Sequence, residues 1–151
     1  LFIRAKKKPG EKPKATTAAP AEETPEYLFS NTYSVDTDQS FRYAEASLDR
    51  NPIHVDPKMG QAAGHPGVIL HGLCTMAMST RELVDNLADG NSARVARIQV
   101  RFTKIVLPND TLTTRAWLVD QDENGRTIGF ETLNQDGKPV IGNAIAEIRN
   151  P

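Results

Sequence analysis

The stretch VILHGLCTMAMSTRELVDNLADG, residues 68–90, carries the longest helical pattern of the chain. Its apolar residues recur at helical spacing and predict a helix from about His71 to Ala88, with Gly90 as its C-terminal stop. These residues are Leu73, Met76, Ala77, Leu83, Val84 and Leu87. The first half is apolar nearly all round, which predicts a helix enclosed by other structure.

Downstream of this helix, the hydrophobic period changes from 3.6 to 2. Ile98, Val100 and Phe102 alternate with polar residues from residue 93 onward, which predicts a strand. Turn signals at 108–110, 122–125 and 134–137 bound three more strands, the first running through Trp117 and the last ending at Ile148. Turns this short join antiparallel neighbours, so the predicted fold is α+β, one buried helix followed by an antiparallel meander.

Upstream of the helix, shorter elements are predicted. Residues 32–35 form a short strand, and Thr37 or Asp38 caps a short helix that ends at Asn51-Pro52. A second short helix follows Asp56-Pro57, since proline suits the first turn of a helix.

The N-terminal region differs in composition from the rest. Residues 6–26 are almost all Lys, Pro, Ala, Thr, Glu and Gly without hydrophobic periodicity, which is typical of a solvated linker. Residues 1–4 resemble the end of a strand. We therefore divide the chain into 1–28, the tail of a preceding strand plus a Pro/Ala/Lys-rich linker, and 29–151, one globular domain. A strand end before a linker suggests that another domain precedes this one.

Overall composition narrows the class of protein. The 151 residues are 25% charged with a net charge of −1, so no global field draws the chain to nucleic acid or anionic lipid. No apolar run approaches the roughly 20 residues needed to span a bilayer. A single cysteine, Cys74, excludes an internal disulfide and favours a reducing, cytoplasmic setting.

The first cluster that could carry chemistry is Asp49-Arg50-Asn51-Pro52-Ile53-His54. It places a carboxylate and an imidazole five residues apart around a turn that proline fixes. Two titratable groups on one rigid turn can share a water, which suits general acid–base catalysis. The alternative is a purely structural turn, in which Asp49 caps and His54 packs.

The second cluster, residues 68–74, leads into the predicted helix. Gly72 has no side chain, so its backbone N–H can approach a ligand closely. At a helix N-terminus that N–H has no intrahelical partner and can donate to a carbonyl oxygen that gains negative charge. The alternative is a glycine needed only for close packing.

Together, residues 49–54 and 69–75 resemble the hydratase 2 signature of MaoC-like enoyl-CoA hydratases, in residues and in spacing. Val100-Arg101-Phe102, the turn at 108–112 and Gly142-Asn143-Ala144 agree with the resemblance, which covers about residues 30–150. It implies a hotdog fold, an antiparallel sheet wrapped around a long central helix. It also implies reversible hydration of a trans-2-enoyl thioester, carried by coenzyme A or acyl carrier protein, to the (R)-3-hydroxyacyl thioester.

Site roles follow from the resemblance residue by residue. Asp49 and His54 would activate the water, Asn51 would orient the site, and the Gly72 N–H would polarise the thioester carbonyl. We expect His71, Leu70 and Arg101 to contact the substrate. Together with Arg101, Arg94 and Arg97 are candidates to bind the phosphates of coenzyme A; the alternative is that these arginines form a solvated strand face. Two departures from the family pattern stand next to these groups: Leu48 replaces a common glycine and Val68 a common proline.

The remaining expectations concern partners and alternatives. No cofactor beyond the thioester carrier is expected, and the spacing of His54, His65 and His71 does not favour a metal site. The resemblance implies pairing with a second hotdog, either a second copy or an N-terminal half of the same protein. A hotdog thioesterase and a non-catalytic acyl-thioester-binding hotdog remain as alternative functions.

Overall fold

A computed structural model describes residues 25–151. The predictions for the strand end at 1–4 and for most of the linker lie outside these residues. The described elements are β1 (Tyr27–Ser34), α1 (Gln39–Ser47), α2 (Pro52–Val55), α3 (Pro57–Ala62), α4 (Gly72–Leu87), a 3-10 turn (Ser92–Arg94), β2 (Val95–Phe102), β3 (Thr111–Gln121), β4 (Gly125–Leu133) and β5 (Pro139–Arg149). The domain boundary predicted at 28/29 falls inside β1, since Tyr27 already pairs with Trp117. None of the helices in this range is long and apolar enough to cross a membrane.

The five strands form one antiparallel sheet in the order β1-β3-β4-β5-β2. The predicted meander is correct for β3, β4 and β5, which are joined by the two predicted turns. It is wrong for β2, which pairs with β5 at the far edge and not with β3. The connection 103–110 therefore runs across the sheet, from β2 at one edge to β3 near the opposite edge. Within it, the Val106 carbonyl accepts from the Leu70 N–H (2.8 Å).

Helix α4 confirms the strongest element prediction, beginning at Gly72 and ending at Leu87. Gly90 adopts φ of 73° and its N–H donates to the Val84 carbonyl (3.1 Å), so it ends the helix as expected. The expectation that the first half is enclosed is wrong for the described residues of this chain. Leu73 is 56% exposed and only one side of the helix, with Cys74 and Leu83, is buried.

The segment before α4 contains one element more than predicted. Helix α1 ends at Ser47, four residues before Asn51-Pro52, because Leu48 turns into the left-handed region (φ 62°). The short helix α2 then begins at Pro52, and the Asn51 side chain caps it by accepting from the Ile53 N–H. The predicted helix after Asp56-Pro57 is α3, capped by the Asp56 carboxylate.

Between α4 and the sheet, the core has two apolar clusters. One surrounds Leu83, Ile128 and Phe130, and the other lies around Leu70, Cys74 and Leu112. The second cluster includes residues at the start of α4. The helix terminus that carries Gly72 is therefore supported by packed apolar side chains.

Candidate active site

The backbone around His54 is held by buried groups of two other segments. The single proton of the Ser40 hydroxyl, on α1, is shared between two acceptors, the His54 carbonyl (2.7 Å) and the Ile69 carbonyl (3.1 Å). The Ile69 N–H in turn donates to the Ile53 carbonyl (3.1 Å). These bonds fix α2 against the segment that enters α4.

The ring of His54 has a defined tautomer when neutral. Its Nδ1 lies 2.8 Å from the Ile69 carbonyl, and a carbonyl can only accept, so Nδ1 carries the proton. The neutral ring therefore keeps an unprotonated Nε2. His54 is partly exposed and lines a cleft, so this nitrogen is available as a base.

Asp49 lies in the loop between α1 and α2 and is exposed. Its carboxylate accepts from the Asn51 N–H (3.2 Å), and its backbone carbonyl accepts from Nε2 of His71 (2.9 Å). The left-handed Leu48 directly precedes it, which explains why a glycine is common at that position. The alternative interpretation, in which Asp49 caps a structural turn, agrees in part with this geometry, because one carboxylate oxygen of Asp49 accepts from the Asn51 N–H and closes a local turn.

Asp49, His54 and His71 are brought together by this arrangement. A carboxylate oxygen and one nitrogen from each ring all lie within 4.8 Å of one another. A water that forms hydrogen bonds of about 2.8 Å to two atoms spans such a separation. Among residues 25–151, the same three residues are a set whose ligand atoms lie close enough to hold a metal ion. Nδ1 of His54 and Nε2 of His71 donate to carbonyls, which leaves the other nitrogen of each ring free, and the two rings are stacked.

Gly72 stands at the first position of α4, where its N–H has no intrahelical acceptor. A side chain there would contact the Phe102 ring, which lies 3.4 Å from the place of a Cβ. With His54, Gly72 lines a cleft of 430 Å³. A separate cavity of 310 Å³ near the β3–β4 turn contains none of the predicted site residues.

The three predicted substrate contacts lie in different environments. Leu70 lines the cleft although it is only 3% exposed. His71 is 2% exposed, does not line the cleft, and contacts Asp49 and His54 instead. Arg101 is exposed but does not line the cleft. Arg94 and Arg97 form ion pairs with Asp89 and Glu147, which engages their charges within the chain.

Several cleft residues were not predicted. The connection after β2 contributes Lys104 and Ile105, and Thr75 comes from the first turn of α4. Phe102 also lines the cleft. The sequence could have indicated this, because Phe102 alternates with Arg101 and the two side chains therefore take opposite faces of β2. The crossing of 103–110 could not be read from the sequence, because it depends on strand order.

Burial shifts two ionisable groups near the site. It raises the pKa of the Cys74 thiol, which lies in the first turn of α4, two residues after Gly72. It also raises the pKa of Tyr43, and negative charge on Cys74 and Asp49 adds to that shift. Both groups are therefore protonated at neutral pH and do not serve as bases there.

The chain is similar in sequence to known proteins of one family. A family model described as MaoC like domain matches residues 6–137. The chain is 35% identical over 141 residues to a probable enoyl-CoA hydratase 2 of Dictyostelium discoideum, covering 93% of the chain and 45% of that protein. It is 46% identical over 102 residues to the 3-hydroxyacyl-thioester dehydratase Y of Mycobacterium tuberculosis, covering 66% of the chain and 34% of that protein.

A solved structure shows the same fold. The full-length peroxisomal multifunctional enzyme type 2 of Drosophila melanogaster superposes with a TM-score of 0.74 and 35% identity, covering 91% of the chain and 25% of that structure. The fold is thus the hotdog, a five-stranded antiparallel sheet with one long helix. The chain spans less than half the length of each of these three relatives.

Proposed function

The chain belongs to the family of MaoC-like domains, and we propose that it catalyses the reversible hydration of a trans-2-enoyl thioester to an (R)-3-hydroxyacyl thioester. One observation carries the proposal. Asp49 and His54 offer a carboxylate oxygen and a ring nitrogen within 4.8 Å, and His54 lines the same cleft as the first residue of α4. A water and a thioester carbonyl can then be held side by side.

In the hydration direction, a water lies between Nε2 of His54 and the Asp49 carboxylate. As its oxygen attacks C3, one proton passes to a side chain of this pair, and electron density moves through C2 to the thioester oxygen. The Gly72 N–H donates to that oxygen, and one such donor contributes about 3 kcal/mol to transition-state stabilisation. A proton delivered to C2 from the same face completes syn addition, and dehydration is the reverse.

The tautomer of His54 favours it as the group that first accepts a proton. Nδ1 donates to the Ile69 carbonyl (2.8 Å), so a neutral ring has its lone pair on Nε2. Asp49 then accepts the second hydrogen bond of the water and balances the charge of the protonated ring. All proton transfers use groups of the chain and the substrate, so the reaction needs no cofactor beyond coenzyme A or acyl carrier protein.

We also propose that a second hotdog completes the site. Leu73, Phe102 and Ile105 are 56%, 47% and 44% exposed beside the cleft, and an acyl chain would meet water there. The relatives are more than twice as long as the matched chain, which leaves room for another such domain. A second copy of this chain is the alternative partner, and the mass of the full-length protein in solution distinguishes the two.

The direct test follows the enoyl absorbance of crotonyl-CoA and of a longer trans-2-enoyl-CoA with the full-length protein. Replacing Asp49→Asn or His54→Ala should lower kcat by about 100-fold or more, since general acid–base groups contribute 10²–10⁴-fold. Asp85→Asn and His65→Ala remove the same functional groups elsewhere in the chain and should leave kcat within about 2-fold.

Product analysis separates the rival functions. Formation of the (R)-3-hydroxyacyl thioester, lost in both site variants, supports the hydratase. Release of free thiol without a hydroxyacyl product would instead indicate a thioesterase. Tight binding of the thioester by a folded protein without turnover would indicate a binding module.

A further inference from the structure

His71 is a buried residue that contacts both Asp49 and His54 of the candidate site. It is 2% exposed, its Nε2 donates to the Asp49 carbonyl, and its ring stacks on His54 with 3.8 Å between centroids. We propose that His71 is a positioning residue whose N–H holds the Asp49 loop in its reactive place. This inference rests on the hydratase function proposed above.

The Asp49 loop has few other anchors. The remaining hydrogen bonds of Asp49 are short-range, from its N–H to the Ser47 hydroxyl and from the Asn51 N–H to its carboxylate. The bond from His71 instead joins residues 22 positions apart and ties the loop to the start of α4. Loss of this bond would free the carboxylate to move relative to His54.

The chemistry of the His71 ring points to the same role. A carbonyl only accepts, so in the neutral ring Nε2 of His71 carries the proton and Nδ1 has the lone pair. Among the side chains of residues 25–151, this Nδ1 is the one buried polar atom without a hydrogen-bond partner. Burying such an atom is destabilising, so packing alone would favour an apolar side chain here. What the imidazole adds is its N–H.

The position of His71 in the chain makes the effect local to the site. It is the residue before Gly72 and precedes the first turn of α4. Its ring plane lies 25° from that of His54, and Tyr43 packs on it with 4.9 Å between centroids. The His71 side chain therefore contacts both the Asp49 loop and the His54 ring, and the residue directly precedes the helix terminus that bears the Gly72 N–H.

The test compares His71→Gln with His71→Leu in the full-length protein. The two side chains have similar size and both remove the stacked ring, but only glutamine can donate a hydrogen bond to the Asp49 carbonyl. We expect kcat for a trans-2-enoyl-CoA to be about 10-fold higher in the glutamine variant, with KM differing by less than about 3-fold. Thermal stability should run the other way, with leucine at least as stable, since it buries no amide.

A second readout does not depend on turnover. Exchange of the Asn51 N–H with deuterated water should be faster in the leucine variant than in the glutamine variant, because that N–H bonds the Asp49 carboxylate. Equal kcat in the two variants, kcat that follows stability, or failure of either variant to fold would overturn the positioning role. Absence of turnover by the unmodified protein would count against the proposed function, while the exchange measurement would still decide the role of His71.

Discussion

A single hydroxyl, that of Ser40, connects three segments at the base of the candidate site. It is fully buried, and its single proton lies between the carbonyls of His54 and Ile69, closer to that of His54. The Ile69 carbonyl has a second donor in the His54 ring, whereas the His54 carbonyl depends on the serine. Ser40 therefore supports the backbone of His54 without reaching the cleft.

Replacing Ser40→Ala should leave the His54 carbonyl without its buried partner. We expect the free energy of unfolding to fall by about 1–3 kcal/mol, measured by urea denaturation. The exposed Ser92→Ala is the control and should change it by less than about 0.5 kcal/mol. If Ser40→Ala also lowered the free energy of unfolding by less than about 0.5 kcal/mol, water would be replacing the hydroxyl. That result would contradict the proposed support of the His54 backbone by Ser40.

At this scale, the sequence predicted the reacting groups but not their supports. Asp49, His54 and Gly72 stand in two short blocks, and the resemblance of these blocks to the family signature predicts their chemical roles. Ser40 and the role of His71 depend on contacts across 14 and 22 positions, which no local pattern specifies. Leu48 was recognised as a departure, but only its φ of 62° explains why that position favours glycine.

Among the elements, α4 and three strands meet in a buried cluster of hydroxyls. We call it the hydroxyl cluster, and its members are Tyr33 of β1, Ser79 of α4, Thr114 of β3 and Thr132 of β4. The Ser79–Thr132, Thr132–Thr114 and Thr114–Tyr33 oxygens lie 2.7, 2.8 and 2.9 Å apart. Along α4 and β3 the cluster falls between the two apolar clusters of the core, so it fixes how the helix is seated on the sheet.

Valine substitutions should reveal the cost of breaking this hydroxyl cluster. Thr114→Val or Thr132→Val alone leaves a buried hydroxyl with one partner fewer and should lower unfolding free energy by about 1–3 kcal/mol. The double variant should cost less than the sum, because the two residues share a bond.

The exposed pair Thr32 and Thr113 provides the control for that double-mutant cycle. Their hydroxyls are also 2.8 Å apart on adjacent strands, but both face solvent. The same valine changes there should cost less than about 0.5 kcal/mol each, with little coupling. Equal coupling in the buried and exposed pairs would contradict the importance of burial.

Elements were predictable where one period ran long enough. Helix α4 and strand β2 follow from such runs, and strands β3 to β5 follow from the turn signals that bound them. The four-residue α2 is too short to show a period. Strand order was not predictable for β2, because alternation identifies a strand without naming its neighbour. Pairing of β2 with β5 brings residues 103–106 over the start of α4, and that contact forms one wall of the cleft.

At the scale of the whole domain, residues 25–151 fold as one layer of sheet with the long helix α4 packed against one of its faces. Three exposed apolar side chains, those of Leu73, Phe102 and Ile105, lie beside the cleft or at the start of α4, and Leu73 is 56% exposed. The hydroxyl cluster and the thiol of Cys74 lie on the other side of that helix, in the core. The folded chain thus buries titratable groups in protonated form, which links its stability to pH.

Stability should therefore fall in alkaline solution. Burial raises the pKa of the Cys74 thiol above its ordinary value of 9.0 and that of Tyr33 above 10.0. A group with a higher pKa in the folded state binds more protons there than in the unfolded state, so its contribution is complete below the unfolded pKa and is lost as pH rises through the folded pKa. Unfolding free energy measured by urea denaturation should be level from pH 7 to about 8.5 and decline above it, first through Cys74 and then through Tyr33. Cys74→Ala should lower stability at pH 7 but flatten the decline between about pH 9 and 10, whereas an unchanged slope would show that Cys74 ionises equally easily in both states.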